Sequence, residues 1–329
     1  MLENQLSRYG SITKAIPYLN PGAKVFLVSD SDDTTVGPLN VGNEFPTDKD
    51  GVTRVYTTIQ AAVNAATAGR GDVVLVLPGY DQSLTAADSW ATAGVHVIGL
   101  GEGNSRPILR YTGTAGEVGL AANNIHVKNI RFLAAVDSCA RALDLDTGFS
   151  GAHIEECAFD FNATNNDFRV HLRAGQARST IEKNRFLAED TAGSGRAISL
   201  RGLGGSYTTI NDNYIFGQFD TVGDTTDGAA AIGIDSTDTQ NVVGLLIKDN
   251  MIVNTDTAVA VHIRIADGGT YRIMGLIKGN YLANFDSSSA DTTKIASGNA
   301  VGAGMRVLDN HINSDSSTEK LVGDTTVVL

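Results

Sequence analysis

Apolar and polar positions along this chain form a six-residue phrase that recurs at intervals of 27 to 37 residues. An aliphatic residue stands first, Asn stands fourth in most copies, and Phe, Ile or Leu stands sixth. The copies begin at Val127, Ile154, Ile181, Ile210, Ile247, Ile277 and Val307. A fixed period in this range predicts a fold of stacked repeats, that is, a solenoid.

The phrase predicts a corner in the backbone. Side chains alternate between the two faces of an unbroken strand, yet the first and sixth positions are both large and apolar. The chain must therefore turn between them, and Asn tolerates the left-handed conformation of such turns better than other non-glycine residues. We expect the fourth positions to occupy these corners and to stack their amides as an internal ladder. Its members are Asn184, Asn213, Asn250, Asn280 and Asn310.

A second short apolar segment follows the early copies, for example Ala142 to Leu145 and Ala197 to Leu200. Such segments alternate and are bounded by Gly, Asp and Ser, which is typical of strands rather than helices. The pattern predicts a β-solenoid. A β-sandwich with irregular hairpins is the alternative, but it requires neither a constant phrase nor an Asn register.

One amphipathic helix is predicted ahead of the repeats, over residues 57–67. Thr57 and Gln60 have the spacing of a capping box, and Gly69 suits the end of the helix. Apolar residues fall at helical spacing along one face. They are Ile59, Ala62, Val63 and Ala66.

Two strand-like segments, Asp72–Tyr80 and Gly94–Gly101, follow this helix. The order, with a Val-rich strand that ends in Pro-Gly, resembles the start of the right-handed parallel β-helix proteins of the pectin-lyase-like superfamily. The resemblance implies an all-β, single-stranded parallel β-helix over residues 52–313, with the helix closing one end. An uncovered end would expose unpaired strand edges and apolar interior. Residues 314–329 then form a C-terminal tail.

Residues 1–51 do not follow the repeat and are predicted to form an N-terminal arm that serves attachment. The arm contains one strand-like run, Lys24–Val28, and scattered apolar residues. We expect the apolar residues to contact a partner protein: Leu6, Tyr9, Ile12, Ile16 and Tyr18.

Composition narrows the classes of partner. The chain has 329 residues, a net charge of −12 and a pI near 4.9, which disfavours nucleic-acid binding. Because it shows no apolar run of membrane-spanning length and no cleavable leader, we expect neither a membrane span nor export. Cys157 stands at a fourth position that other copies give to Asn. We therefore expect a buried free thiol rather than a disulfide with Cys139.

No catalytic constellation is visible in the sequence. Asn254-Thr-Asp256 matches one short motif of the polygalacturonases, but their paired Asp, Gly-His-Gly and Arg-Ile-Lys segments do not follow. The aromatic-Gln-Asp and Asp-Phe-Ile-Phe-Gly segments of pectin methylesterases are also missing. We predict a protein that is not an enzyme and that uses no cofactor.

Charged residues that directly follow inward Leu or Ile residues are predicted to stand in one column on the outer surface. They are Asp146, Arg173, Arg201, Asp235 and Arg264. We expect a solvated ladder whose opposite charges partly compensate. The alternative is a contact surface for a host glycan or a partner, with Asp144, His171 and His262 nearby.

His96, His126 and His153 each precede an inward Val or Ile and are also expected to stack. Stacking in line gives no tetrahedral convergence, so no metal site is predicted. Acidic turns at residues 30–33 and 144–148 lack the remaining ligands of a calcium loop and are expected to be solvated.

An acidic coil rich in Gly, Asn and Thr with an extra N-terminal arm resembles the virion proteins of tailed phages. Within that group the resemblance favours a capsid decoration (cement) protein, a homotrimer bound to the major capsid protein on the capsid surface. The alternative is a tailspike-like β-helix protein that binds or degrades a polysaccharide, although tailspikes are usually longer. A cell-surface adhesin is a third hypothesis, disfavoured because no signal sequence is seen.

Overall fold

The protein is a stack of parallel strands in three sheets. The structure, a computed structural model, describes residues 22–29, 55–163, 166–188, 195–201, 205–219, 230–234, 241–255, 261–265, 273–284, 295–297 and 304–313. From residue 73 onward, each turn of the described chain contributes a strand to each sheet in order and then returns to the first. This all-parallel β-solenoid confirms the predicted fold class and has the architecture of a right-handed parallel β-helix.

Strands are numbered along the chain. Sheet 1 contains β1 (Val25–Val28), β2 (Val55–Tyr56), β3 (Val73–Val76), β6 (His96–Gly99), β9 (His126–Lys128), β12 (His153–Glu155), β15 (Thr180–Glu182), β18 (Thr209–Asn211), β21 (Val242–Lys248), β24 (Ile273–Lys278) and β27 (Gly304–Leu308). Sheet 2 contains β4 (Asp81–Leu84), β7 (Ile108–Tyr111), β10 (Arg131–Ala134), β13 (Ala158–Phe161), β16 (Arg185–Leu187), β19 (Tyr214–Gly217), β22 (Met251–Asn254), β25 (Tyr281–Asn284) and β28 (His311–Asn313). Sheet 3 contains β5 (Ala87–Trp90), β8 (Glu117–Leu120), β11 (Cys139–Leu145), β14 (Phe168–Ala174), β17 (Arg196–Leu200), β20 (Ile232–Ile234), β23 (Ile263–Ile265) and β26 (Ile295–Ser297).

The repeated phrase folds as the end of a sheet 1 strand, a corner and the start of a sheet 2 strand. Its first and sixth positions both point into the solenoid, where equivalent residues of successive turns stack. The rings of Phe132, Phe159 and Phe186 lie nearly parallel, with centroids 4.8 and 4.6 Å apart. Burial of these columns along the whole stack forms one continuous apolar core.

The left-handed residue of each corner is the third of the phrase, not the fourth as predicted. The third positions all have φ between 50° and 67°. They are Asn129, Glu156, Lys183, Asp212, Asp249, Gly279 and Asp309. The physical reason is a division of tasks, because the third side chain points outward while the fourth points inward and needs hydrogen-bond partners.

The fourth-position amides form a hydrogen-bonded ladder through the stack. Asn184 Nδ2 donates to Asn213 Oδ1 at 3.1 Å, and Asn213 Nδ2 donates to Asn250 Oδ1 at 2.9 Å. The same contact continues to Asn280 and Asn310 at 2.9 Å each. Each acceptor oxygen also takes the backbone N–H of the preceding Asn, at 2.9 to 3.0 Å. The ladder thereby satisfies corner backbone groups that water cannot reach.

Helix α1 (Ile59–Ala65) closes the N-terminal end of the core. Its buried face consists of Ile59, Ala62 and Val63. The N-cap is Thr58, whose side chain accepts the Ala61 N–H at 3.2 Å, so the predicted cap at Thr57 is one residue early.

Strand β1 belongs to the sequence segment predicted as an arm, but it pairs in parallel with both β2 and β3 in sheet 1. Phe26 and Val28 are 1% and 0% exposed and join the main core. The solenoid core therefore extends into the arm. The predicted contact residues of the arm, Leu6, Tyr9, Ile12, Ile16 and Tyr18, lie outside the described residues.

Cys139 and Cys157 are both free and buried, as expected. Burial raises the pKa of each thiol to about 12, so both are protonated near neutral pH. Among the described residues, no helical segment combines the length and apolar character needed to span a bilayer.

Candidate functional site

The variable positions of the phrase face outward and form columns on both sides of the corner. On sheet 1, the second positions Lys128, Glu155 and Glu182 are in register. On sheet 2, the fifth positions Arg131 and Arg185 flank the small residue Ala158 in one column. The corner between sheets 1 and 2 therefore carries charged side chains on its outer surface.

A groove of about 920 Å³ lies over this corner. One wall is the segment 102–106, which connects β6 to β7 and contains a 3₁₀ turn, Gly103–Ser105. The groove is mainly cationic, with five basic and two acidic side chains in its lining. The basic residues are Arg106, Lys128, Arg131, Lys183 and Arg185, and the acidic residues are Glu102 and Glu156.

Ion pairs hold three of these cations in place. The buried carboxylate of Asp160 accepts hydrogen bonds from Arg131 Nη2 at 2.9 Å and from Arg185 Nη2 at 3.2 Å. Lys128 Nζ lies 3.0 Å from Glu155 Oε1 and 3.3 Å from Glu156 Oε2. The side chains are thus ordered before any ligand arrives, which reduces the entropic cost of binding.

Two cations of the groove have no acidic partner in the described part of the chain. Lys183 is exposed at a corner, and Arg106 is partly buried in the loop wall. Arg106 Nε is inaccessible to solvent and has no hydrogen-bond partner. Burial is the main cause that lowers the pKa of Arg106; the neighbouring Arg185 and Arg131 act in the same direction, and the charge of Glu156 acts against them. An anion placed near Arg106 would offset the repulsion among these cations.

An exposed aromatic residue extends the sheet 2 wall. Tyr214 follows Arg185 in the same column and is 38% exposed, and the next residue in that column, Met251, is 43% exposed. The rings of Tyr214 and Phe216 are parallel, with centroids 6.4 Å apart. The cationic groove therefore continues into an amphipathic surface along the stack.

These groove residues could not be predicted from the motif, because they occupy variable positions of the phrase. Residues at equivalent positions of successive copies become neighbours on the surface. The groove residues can therefore be found only by comparing the second, third and fifth positions of neighbouring copies across turns. Gly99 is a second indication in the sequence, because it marks a close approach between two turns. A Cβ there would meet Asn129 O at 2.2 Å, which shows how closely the two turns approach at this corner.

The predicted single column of charges on sheet 3 is wrong. Arg173 and Arg264 share a column, but the acidic residue in it is Asp144, whose carboxylate accepts a hydrogen bond from Arg173 Nε at 2.9 Å. Asp144 is 1% exposed and bound by Arg173, so it is not a free ligand for a turn-bound cation.

Asp146 and Arg201 lie two positions further on, directly after Leu145 and Leu200, which share a column through Ala174. Both Leu143 and Leu145 point inward, so the residue after an inward Leu is not one structural position in every turn. Asp235 lies outside the described residues.

The two histidines predicted near this surface lie inside the protein. His171 is 1% exposed, and its Nε2 contacts Leu187 O at 2.9 Å. His262 is 0% exposed, and its Nε2 contacts Ala283 O at 2.6 Å. Each contact joins a buried imidazole to a backbone carbonyl of a sheet 2 strand. Neither histidine therefore belongs to an external contact surface.

His96, His126 and His153 form the expected column on the outer face of sheet 1. The rings of His126 and His153 are stacked at 4.6 Å, and His96 Nδ1 lies 3.2 Å from His126 Nδ1. Glu155 lies beside them, with Oε1 3.0 Å from His126 Nε2. The column therefore places carboxylate and imidazole donors together.

No family model matches the chain, and no curated protein sequence matches it. Among solved structures, it is similar to a mutant tailspike protein of E. coli bacteriophage HK620 in complex with a pentasaccharide, at 14% identity and a TM-score of 0.45. That match covers 85% of this chain and 64% of the tailspike chain. The A-module of the Azotobacter vinelandii mannuronan C-5 epimerase AlgE6 matches at 15% identity and a TM-score of 0.34, covering 79% of this chain and 91% of the module. ORF18 of Geobacillus virus E2 matches at 12% identity and a TM-score of 0.32, covering 94% of this chain and 63% of the ORF18 chain.

Proposed function

We propose that the protein is a polysaccharide-binding β-helix protein that holds an acidic glycan over the corner between sheets 1 and 2. The observation that carries the proposal is the cationic groove on a chain whose net charge is −12. Three of the five cations are paired with carboxylates, so the attraction for an anion comes mainly from Arg106 and Lys183.

The groove also suits a polymer. Neighbouring strands of a sheet are about 4.8 Å apart, a spacing similar to the rise of one sugar unit in an extended polysaccharide. Equivalent side chains on successive turns can thus meet successive sugars. Arg106 and Lys183 would pair with carboxylates of the glycan, and Tyr214 would present an aromatic face to a sugar ring.

This proposal corresponds to the tailspike-like alternative rather than to capsid decoration. The groove lies among the described residues, whereas the arm residues expected to contact a capsid do not. Capsid decoration, assembly as a homotrimer and location on the capsid surface remain predictions. The sequence resemblance also implies that the protein belongs to a virion.

We propose binding without cleavage, because Glu156, one of the two acidic residues of the groove lining, is held in an ion pair with Lys128. The nearby carboxylates Glu155 and Asp160, outside the lining, are also paired with groove cations. The second acidic lining residue, Glu102, lies on the loop wall without a paired second carboxylate in the described lining.

Calorimetric titration of the full chain with polygalacturonate tests the proposal, with neutral dextran as the comparison polymer. We expect saturable binding of polygalacturonate that weakens with added salt, because the contacts are ionic. The double variant Arg106→Gln, Lys183→Asn should bind about tenfold more weakly or worse, a loss of about 1.4 kcal/mol. Asn is chosen because it already occupies the equivalent left-handed corner at Asn129.

The matched control is Lys278→Ala, which removes an exposed lysine from a second position of the phrase in a turn beyond the groove. It should bind as the unmodified chain does. The proposal is contradicted if dextran and polygalacturonate bind equally well. It is also contradicted if the Lys278→Ala control loses as much affinity for polygalacturonate as the double variant does. The polymer should also keep its chain length during incubation, and a rise in reducing ends that Glu156→Gln abolishes would show cleavage instead.

A further inference from the structure

The outer face of sheet 1 carries a cluster of metal-ligating side chains that is separate in chemistry from the cationic groove. His126, His153 and Glu155 each place one donor atom within 4.8 Å of the other two. His126 and Glu155 are buried, and His153 is partly exposed. The cluster is thus accessible from one side, through His153.

Strand register brings these donors together. His126 and His153 are cross-strand partners on β9 and β12. Glu155 follows His153 by two residues and therefore lies on the same face of β12. The same His-to-Glu diagonal recurs one turn later, where His153 Nε2 lies 3.0 Å from Glu182 Oε1. The arrangement is a property of the sheet and does not depend on a loop conformation.

The donor types of the cluster suit a divalent metal. It offers two imidazole rings and one carboxylate, with Glu155 Oε1 3.0 Å from both His126 Nε2 and Lys128 Nζ. Neutral imidazole together with ionised carboxylate is the donor set that borderline divalent metals prefer.

We propose that His126, His153 and Glu155 bind a divalent first-row transition metal such as Zn²⁺, which joins two successive turns of sheet 1. A tetrahedral site with bonds of about 2.1 Å needs donor atoms about 3.4 Å apart, so the side chains must close inward by rotation. Lys128 can stay paired meanwhile, because its Nζ also contacts Glu156. The metal links turns and so stabilises the folded state that binds it.

Calorimetric titration of the full chain with Zn²⁺, after dialysis against a chelator, tests this proposal. We expect saturable binding of one ion per chain and a rise in the thermal midpoint of unfolding. His153→Gln should weaken the affinity about tenfold or more. The matched control His311→Gln changes an exposed histidine on β28, far along the stack, and should leave the affinity unchanged.

A second measurement on the unmodified chain does not depend on the variants being folded. Carbethoxylation of histidines by diethyl pyrocarbonate, located by peptide mass spectrometry, should be suppressed by Zn²⁺ at His153 and not at His311. The proposal is overturned if the unmodified chain shows no saturable binding. Unchanged affinity in His153→Gln, or equal protection of both histidines, also overturns it.

Discussion

At the scale of single residues, adjacent positions of the corner meet two different physical demands. The third residue adopts the left-handed conformation, and its side chain points outward. The fourth residue points inward, where buried backbone groups must be paired. Asn meets the second demand because its amide both donates and accepts. This explains why Asn recurs at the fourth position while the third position varies, with Lys183 and Glu156 as corner residues that serve the groove.

Replacing Asn250 with Leu should destabilise the fold by about 1 to 3 kcal/mol. Asn250 Oδ1 accepts from both the backbone N and Nδ2 of Asn213, and its own Nδ2 donates to Asn280 Oδ1. Leu leaves these buried groups without partners. Chemical denaturation of the two chains measures the difference.

Asn310→Leu is the matched comparison, because Asn310 is the last ladder member and is only partly buried. Its substitution should cost clearly less than that of Asn250. Equal costs at the two positions would contradict a role for the ladder as a chain of mutually dependent hydrogen bonds.

At the scale of elements, one buried carboxylate joins β1 and the loop after α1 to the start of β3. Asp72 accepts hydrogen bonds from the backbone N–H groups of Lys24 at 2.7 Å and Thr67 at 2.8 Å. Its carboxylate also pairs with the guanidinium of Arg70, with both N–O distances at 2.5 Å. The closed end of the solenoid therefore depends on an ionised side chain as well as on apolar packing.

Asp72→Asn should lower the stability by about 2 kcal/mol at neutral pH, because the amide cannot accept all of these hydrogen bonds. Burial alone would raise the pKa of Asp72, but the hydrogen bonds from Arg70, Lys24 and Thr67 lower it below its ordinary value of 3.8. A lowered folded pKa means that the contribution is complete above pH 3.8 and is lost as the pH falls through the folded value.

Thermal unfolding of both chains across this pH range measures the effect. The difference between them should be constant above pH 3.8 and shrink below it. Asp137→Asn, at an exposed acidic residue, is the control and should match the unmodified chain throughout. A difference that grows at low pH would contradict the assignment of Asp72 as a stabilising carboxylate.

At the scale of the whole molecule, the inward face could be predicted from the sequence and the outward face could not. Hydrophobic periodicity reports which residues are buried, so Val127, Phe132 and their equivalents predict the solenoid. The groove depends on which outward residues of different turns become neighbours, and this requires the register of each strand. The same gap explains the mistaken charge column, because Leu143 and Leu145 both fit the sequence description of an inward residue.

Binding of an acidic glycan over the corner between sheets 1 and 2 is tested most directly by a crystal structure of the full chain with an oligomer of galacturonic acid. We predict electron density for the sugar along the groove, with carboxylates within hydrogen-bonding distance of Arg106 and Lys183. Density on sheet 3 instead, or a groove without sugar in crystals that hold the oligomer elsewhere, would contradict it.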